Sequence, residues 1–137
     1  MKTYLISFLA LTLALILAAC GGGGASGGSD PSAVIEALET AWNAKDVDAA
    51  MALFTDDAEE TNQLGTFTGK DAIRGVYENV MNDFSMDCKN YQVNGNTVSY
   101  DCILTRYDGS ATAGERYDSV VENGKIKSNT LTGTFTP

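Results

Sequence analysis

A chain of 137 residues with 18 acidic and 9 basic side chains carries a formal charge of −9 and contains no histidine. That charge disfavours nucleic acid, which is bound by clustered Lys and Arg, and the missing imidazole removes the commonest general base and metal ligand. About thirty residues read as targeting and tether, which leaves roughly 105 for one domain with a single modest core.

Residues 1–19 place Lys2 before an apolar run from Leu5 to Ala19, the layout of a secretory signal and too short for a confident membrane span. The run closes on Leu17-Ala18-Ala19-Cys20, which resembles the lipobox of bacterial lipoproteins. That resemblance implies cleavage before Cys20, lipid on its thiol, and an exported protein held at the outer face of the cell membrane or at an outer membrane. An ordinary signal peptide that happens to have Cys20 at that place is the alternative. Residues 20–30 continue as a Gly/Ser run that cannot bury apolar surface and reads as a flexible tether. The domain is then residues 31–137.

Asp30 or Ser32 starts a first helix, with Pro31 in the first turn where its missing N–H costs nothing, and the helix runs to about Ala44. Ile35, Leu38 and Trp42 form its apolar stripe. Asp46 caps a second helix extending to Thr55, with Ala49, Ala50, Leu53 and Phe54 inward. Ala58 to Gln63 reads as a short strand before a turn at Gly65. Within it Glu59 and Glu60 read as exposed, and Asp56 and Asp57 as a solvated helix end. Gly69-Lys70-Asp71 opens a third helix with Ile73, Val76, Tyr77 and Val80 on one side, and Gly75 inside it suggests a close packing contact.

From Asp83 the period changes to two. Ser85–Val93, Thr97–Tyr107, Thr112–Glu122 and Lys125–Phe135 are separated by Asn94-Gly95-Asn96, Asp108-Gly109-Ser110 and Asn123-Gly124, hairpin signals that predict an antiparallel meander. Helices first and a long-stranded sheet second give an α+β class.

Cys88 and Cys102 flank the Asn94-Gly95-Asn96 turn and fall opposite each other if the loop has three residues. An exported protein meets oxidising conditions, so the pair is read as a disulfide, with two buried free thiols as the alternative. Tyr91 and Val93 do not share parity with Cys88, so a bulge between them is expected. No metal is expected, because two cysteines without His fall short of the usual ligand set.

The segment AWNAKDVDAAMALFTDDA (Ala41 to Ala58), followed by GTFTGKDAIRGVYENV, resembles the SnoaL-like branch of the nuclear transport factor 2-like superfamily. The likeness spans residues 32–135. It implies a cone in which three helices lie on the concave face of a curved antiparallel sheet and enclose a pocket. Ketosteroid isomerisation in that superfamily uses a carboxylate base, a tyrosine donor and a protonated acid. Carried over, these positions fall on Asn62, Leu38 and Asp118, and neither Asn62 nor Leu38 can do the work of the group it replaces. The Asp and His that the resemblance implies for SnoaL-like cyclases lack their His here.

The reading is therefore a membrane-anchored lipoprotein whose domain binds a small, partly apolar ligand or a protein partner without catalysis and without a cofactor. An isomerase, cyclase or dehydratase-type enzyme using Asp118 is one alternative, and a homodimeric assembly module using the outer sheet face is another. Trp42, Phe54, Asn62, Tyr77, Tyr100, Arg106 and Asp118 are the pocket candidates. Each aromatic has plain core packing as its alternative reading, and Arg106 and Asp118 have an ion pair on the wet face as theirs.

Overall fold

Asp30 supplies the oxygen that the first helix needs, accepting from Ser32 N at 3.0 Å, and α1 runs over Pro31–Asn43 in this computed structural model. Residues 30–137 are described by the structure, so the expectations for the signal segment, Cys20 and the Gly/Ser tether lie outside the described residues. Asp46 repeats the capping device for α2 (Val47–Ala52), its side chain accepting from Ala49 N at 2.9 Å. The second helix is shorter than its sequence suggests. The chain leaves it at Leu53 and enters β1 (Phe54–Asn62), so Phe54, Asp56 and Asp57 belong to a strand rather than to a helix and its end.

A tight turn joins β1 to β2 (Gly65–Thr68), a short edge strand that the sequence reading shows only as a turn, and α3 follows over Lys70–Val80. The remaining chain forms β3 (Phe84–Asn94), β4 (Thr97–Arg106), β5 (Thr112–Glu122) and β6 (Lys125–Phe135). These are the four expected strands, and they pair in a meander. The β5–β6 turn has positive φ at both Asn123 (51°) and Gly124 (74°), a conformation those two residues adopt at least cost.

The six strands form one sheet in the order β2-β1-β6-β5-β4-β3, antiparallel except where β1 runs parallel to β6. Helix α1 packs on β3 and β4, and α3 packs on β1 and β2. The core between the layers is built from Ile35, Leu38 and Trp42 of α1, Ile73 and Tyr77 of α3, and the inward residues of the sheet. Among the described residues no helix is long and apolar enough to cross a membrane.

Cys88 and Cys102 are directly paired across β3 and β4 and joined by a disulfide. The loop between the strands has two residues rather than three, because Asn94 already pairs with Thr97. The register then slips between Lys89 and Gln92, with Asn90 at φ 60°, and this bulge brings the cysteines opposite each other. Gly75 departs from expectation. It is exposed, and a Cβ there would meet nothing within 4 Å, so no close contact explains it. Gly75→Ala is therefore expected to raise stability by about 0.5–1 kcal/mol, through helix propensity and a less mobile unfolded chain, as read by urea denaturation.

Candidate functional site

The concave face holds a cavity of ≈ 100 Å³ between the two layers. One side is apolar: Leu38 and Trp42 from α1, Val76 and Val80 from α3, Met86 from β3 and Leu104 from β4 line it. The other side is polar, and its side chains come from the strands, the β1–β2 turn and α3. Alternation along β1 turns Ala58, Glu60 and Asn62 the same way, and alternation along β5 turns Glu115, Tyr117 and Ser119 inward.

Glu60 and Glu115 are each only 5% exposed, although an unpaired carboxylate is among the most costly groups to bury. Both are hydrogen-bonded. The Tyr77 hydroxyl donates to Glu60 Oε2 at 2.8 Å, Asn62 Nδ2 donates to Oε1 at 3.3 Å, and Asn129 Nδ2 approaches Oε2 at 3.4 Å. Glu115 accepts from the Tyr117 hydroxyl, two residues along the same strand face, and from Gln63 Nε2 at 2.6 Å. Asn129 links this group to the next, since its Oδ1 accepts from Tyr100 at 2.8 Å and from Ser119 at 2.7 Å. The rings that surround the carboxylates touch one another: Trp42 meets Tyr77 edge-on at 5.1 Å, and Tyr100 stacks on Tyr117 at 5.8 Å.

Burial pushes the Glu60 carboxyl above its ordinary value, the donors Tyr77, Asn62 and Asn129 offset part of that, and the nearby Glu115 charge adds to it. Burial likewise pushes the hydroxyls of Tyr77, Tyr100 and Tyr117 up, with Glu60 or Glu115 charge in the same direction, so they remain protonated donors. The raised Glu60 value has a consequence for stability. Between the unfolded value near 4.5 and the higher folded one, the native state binds more protons, so this group's contribution is lost as pH rises through the folded value. Glu60→Gln is expected to flatten that decline, so that the difference in stability between variant and parent shifts in favour of the variant as pH climbs above the unfolded value. Thermal melts at several pH values check it, and a difference that does not change with pH would remove the raised carboxyl from the account.

The structure brings together four of the expected pocket residues, Trp42, Asn62, Tyr77 and Tyr100, around the cavity. Three others it places elsewhere. Phe54 is wholly buried beneath Tyr77 but does not line the cavity. Arg106 lies at the end of β4 with its guanidinium over the Phe84 ring and 3.9 Å from Asp108. Asp118 lies beside Ser99 and Thr130 on the outer face, in a groove with Asp101 and Arg116, because inward and outward residues alternate along β5 and Tyr117 and Ser119 take the inward places. The placement of Asp118 in the pocket, and with it the alternative enzyme reading that uses Asp118, is thus corrected. The buried carboxylates are Glu60, read from sequence as exposed, and Glu115, which the sequence reading did not single out. The available signal was parity: Glu60 shares it with Ala58, and Glu115 with Tyr117.

A family model described as a SnoaL-like domain matches residues 34–129. No curated protein sequence matches the chain. Solved structures of similar fold include a nuclear transport factor 2-like protein of unknown function from Cytophaga hutchinsonii, with 15% identity over 81% of this chain and 95% of that one, TM-score 0.69. A candidate polyketide cyclase from Sinorhizobium meliloti shares 14% identity over 76% of this chain and 100% of that one, TM-score 0.66. A hypothetical protein with a ketosteroid isomerase-like fold from Catenulispora acidiphila, solved in complex with trimethylamine, shares 15% identity over 74% of this chain and 85% of that one, TM-score 0.64.

Proposed function

The chain belongs to the SnoaL-like domain family, and from that premise we propose that its cavity binds a small, partly apolar molecule outside the cytoplasm, in a protein tethered to a membrane by lipid on Cys20. One observation carries the binding reading. Two carboxylates are kept inside the cone, at a desolvation cost, on one side of a space whose other side is apolar. A domain with only a structural role would gain by filling that space with side chains. At ≈ 100 Å³ the space falls below that of a drug-sized site and suits a molecule of a few heavy atoms. The Catenulispora protein of similar fold is described with a molecule of that size, trimethylamine.

Trp42 is the chain's single tryptophan and lines the cavity, so its fluorescence reports occupancy directly. A screen of small molecules against the protein is expected to yield compounds that shift this emission, and Leu104→Phe, which fills the apolar side, is expected to abolish the shift while the fold persists. Binding that survives the filling, or a screen in which nothing shifts the emission, overturns the reading.

Export and lipid attachment rest on the Leu17-Ala18-Ala19-Cys20 segment, and the Cys88–Cys102 disulfide supports an oxidising compartment. Lipid labelling that is lost in Cys20→Ser is the expected result, and an unmodified Cys20 thiol in the mature protein would refute the anchor.

A second reading, proton-transfer catalysis on the bound molecule, is favoured by the Glu60–Tyr77 pair. A carboxyl raised above its ordinary value by burial and hydrogen-bonded to a phenol can exchange a proton with a substrate held beside it. In this reading Glu60, rather than Asp118, is the acid–base group. Glu60→Gln then removes turnover while the fold persists, as read by a cooperative melt.

A further inference from the structure

We propose that the ligand is a small alkylammonium ion, its cationic nitrogen held between Glu60 and Glu115 and its short alkyl groups against the apolar wall of the cavity. This rests on the ligand-binding reading above and adds the sign of the ligand's charge.

Three observations lead to it. The cavity lining contains two carboxylates and no Lys or Arg, so an anion would meet like charge and no cation. Every donor that reaches the carboxylates is neutral: Tyr77, Asn62 and Asn129 at Glu60, Tyr117 and Gln63 at Glu115. A carboxylate offers about four acceptor sites, so these donors leave acceptor capacity on both groups that a charged N–H could fill. Finally, the rings of Trp42, Tyr77, Tyr100 and Tyr117 line the same cavity, and aromatic rings attract a desolvated cation through their electron-rich faces. A purely apolar molecule would exploit the apolar wall alone, and a neutral donor would gain only an uncharged hydrogen bond from the carboxylates. An alkylammonium ion uses both sides, and the cavity volume limits it to short substituents.

The proton count follows. The titratable side chains facing the site are Glu60 from β1, Tyr77 from α3, Tyr100 from β4, and Glu115 and Tyr117 from β5. The tyrosines hold their protons, and burial favours the neutral form of Glu60 in the empty cavity. A cation favours its ionised form, so affinity rises with pH through the range in which Glu60 titrates and is level above it.

Isothermal titration calorimetry on the full chain tests this with trimethylammonium chloride, tert-butanol as a neutral probe of similar shape, and trimethylacetate as an anion. Trimethylammonium is expected to bind at least tenfold more tightly than either of the others. The heat should depend on the buffer's ionisation enthalpy within the pH range in which Glu60 titrates, and not above it. Glu115→Gln is expected to weaken trimethylammonium at least tenfold and leave tert-butanol within twofold. Should that variant fail to melt cooperatively, Glu60→Gln carries the same expectation, with the buffer dependence also lost. Tert-butanol binding as tightly as the cation overturns the charge assignment and leaves the ligand-binding reading standing. If Trp42 emission responds to other small molecules but to none of these three, the assignment of ligand class fails alone. If it responds to nothing, both fail.

Discussion

Phe54→Ala is expected to lower the stability of the domain by about 3–5 kcal/mol, the range for removing a large aromatic from a close-packed core. Phe54 is 0% exposed, opens β1 opposite Ile126 of β6, and meets the Tyr77 ring edge-on at 5.7 Å. The residue therefore joins the first strand to the sheet and also supports the side chain whose hydroxyl holds Glu60. Removing the ring opens a void beside Tyr77, at a place that does not line the ligand cavity. Phe54→Leu, which leaves most of the volume filled, should recover much of the loss. Urea denaturation of both variants measures the effect, and a loss under about 1 kcal/mol for the alanine would show that Phe54 is not the support described.

Opening the Cys88–Cys102 disulfide is the second large expected effect. The bond closes a loop with a sequence separation of 14, and the chain-entropy model gives about 3 kcal/mol for a loop of that size. For a domain of this length that corresponds to a fall in melting temperature of more than about 10 °C. The Cys88→Ala/Cys102→Ala double variant should show the fall without added reductant, whereas the parent should show it only after reduction. Equal melting temperatures for parent and double variant would mean that the bond contributes nothing. Because Cys102 lines the cavity, ligand affinity is expected to drop together with stability.

Much of the architecture was legible locally. Asp30 and Asp46 cap helices because their side chains reach free N–H groups within a few residues. The Asn123-Gly124 turn marks a hairpin because its conformation is cheap for those two residues. The need for a bulge could be read from the parity of Tyr91 and Val93 against the cysteines, although the loop is one residue shorter than Asn94-Gly95-Asn96 suggests. Phe54 was harder: the helical spacing of Ala49, Ala50 and Leu53 continues to it, but the chain has already turned into a strand.

The site was only partly legible, for a different reason. Trp42, Tyr77 and Tyr100 lie on apolar stripes, and those stripes converge wherever the layers meet. Glu60 sits in Asp-Asp-Ala-Glu-Glu-Thr, where every neighbour but Ala58 is polar and nothing local distinguishes a buried carboxylate from an exposed one. Its partners are distant in the chain: Tyr77 arrives with α3, and Asn129 with the parallel pairing of β6 to β1. Asp118 was open to misplacement because Val120 and Val121 are adjacent apolar residues, so the pattern near the end of β5 does not choose a face. The pairing with β4 and β6 makes that choice.

The amino-acid order by itself determined the helices, the hairpins and the α+β class, since caps, turns and periodicity act over a few residues, and the family showed through the resemblance of the Ala41–Ala58 segment. Only the tertiary structure decided which acids enter the cavity. A carboxylate can be buried when donors from other elements surround it, and that condition is met by the register of β1 on β6 and the seating of α3 rather than by any neighbour in sequence.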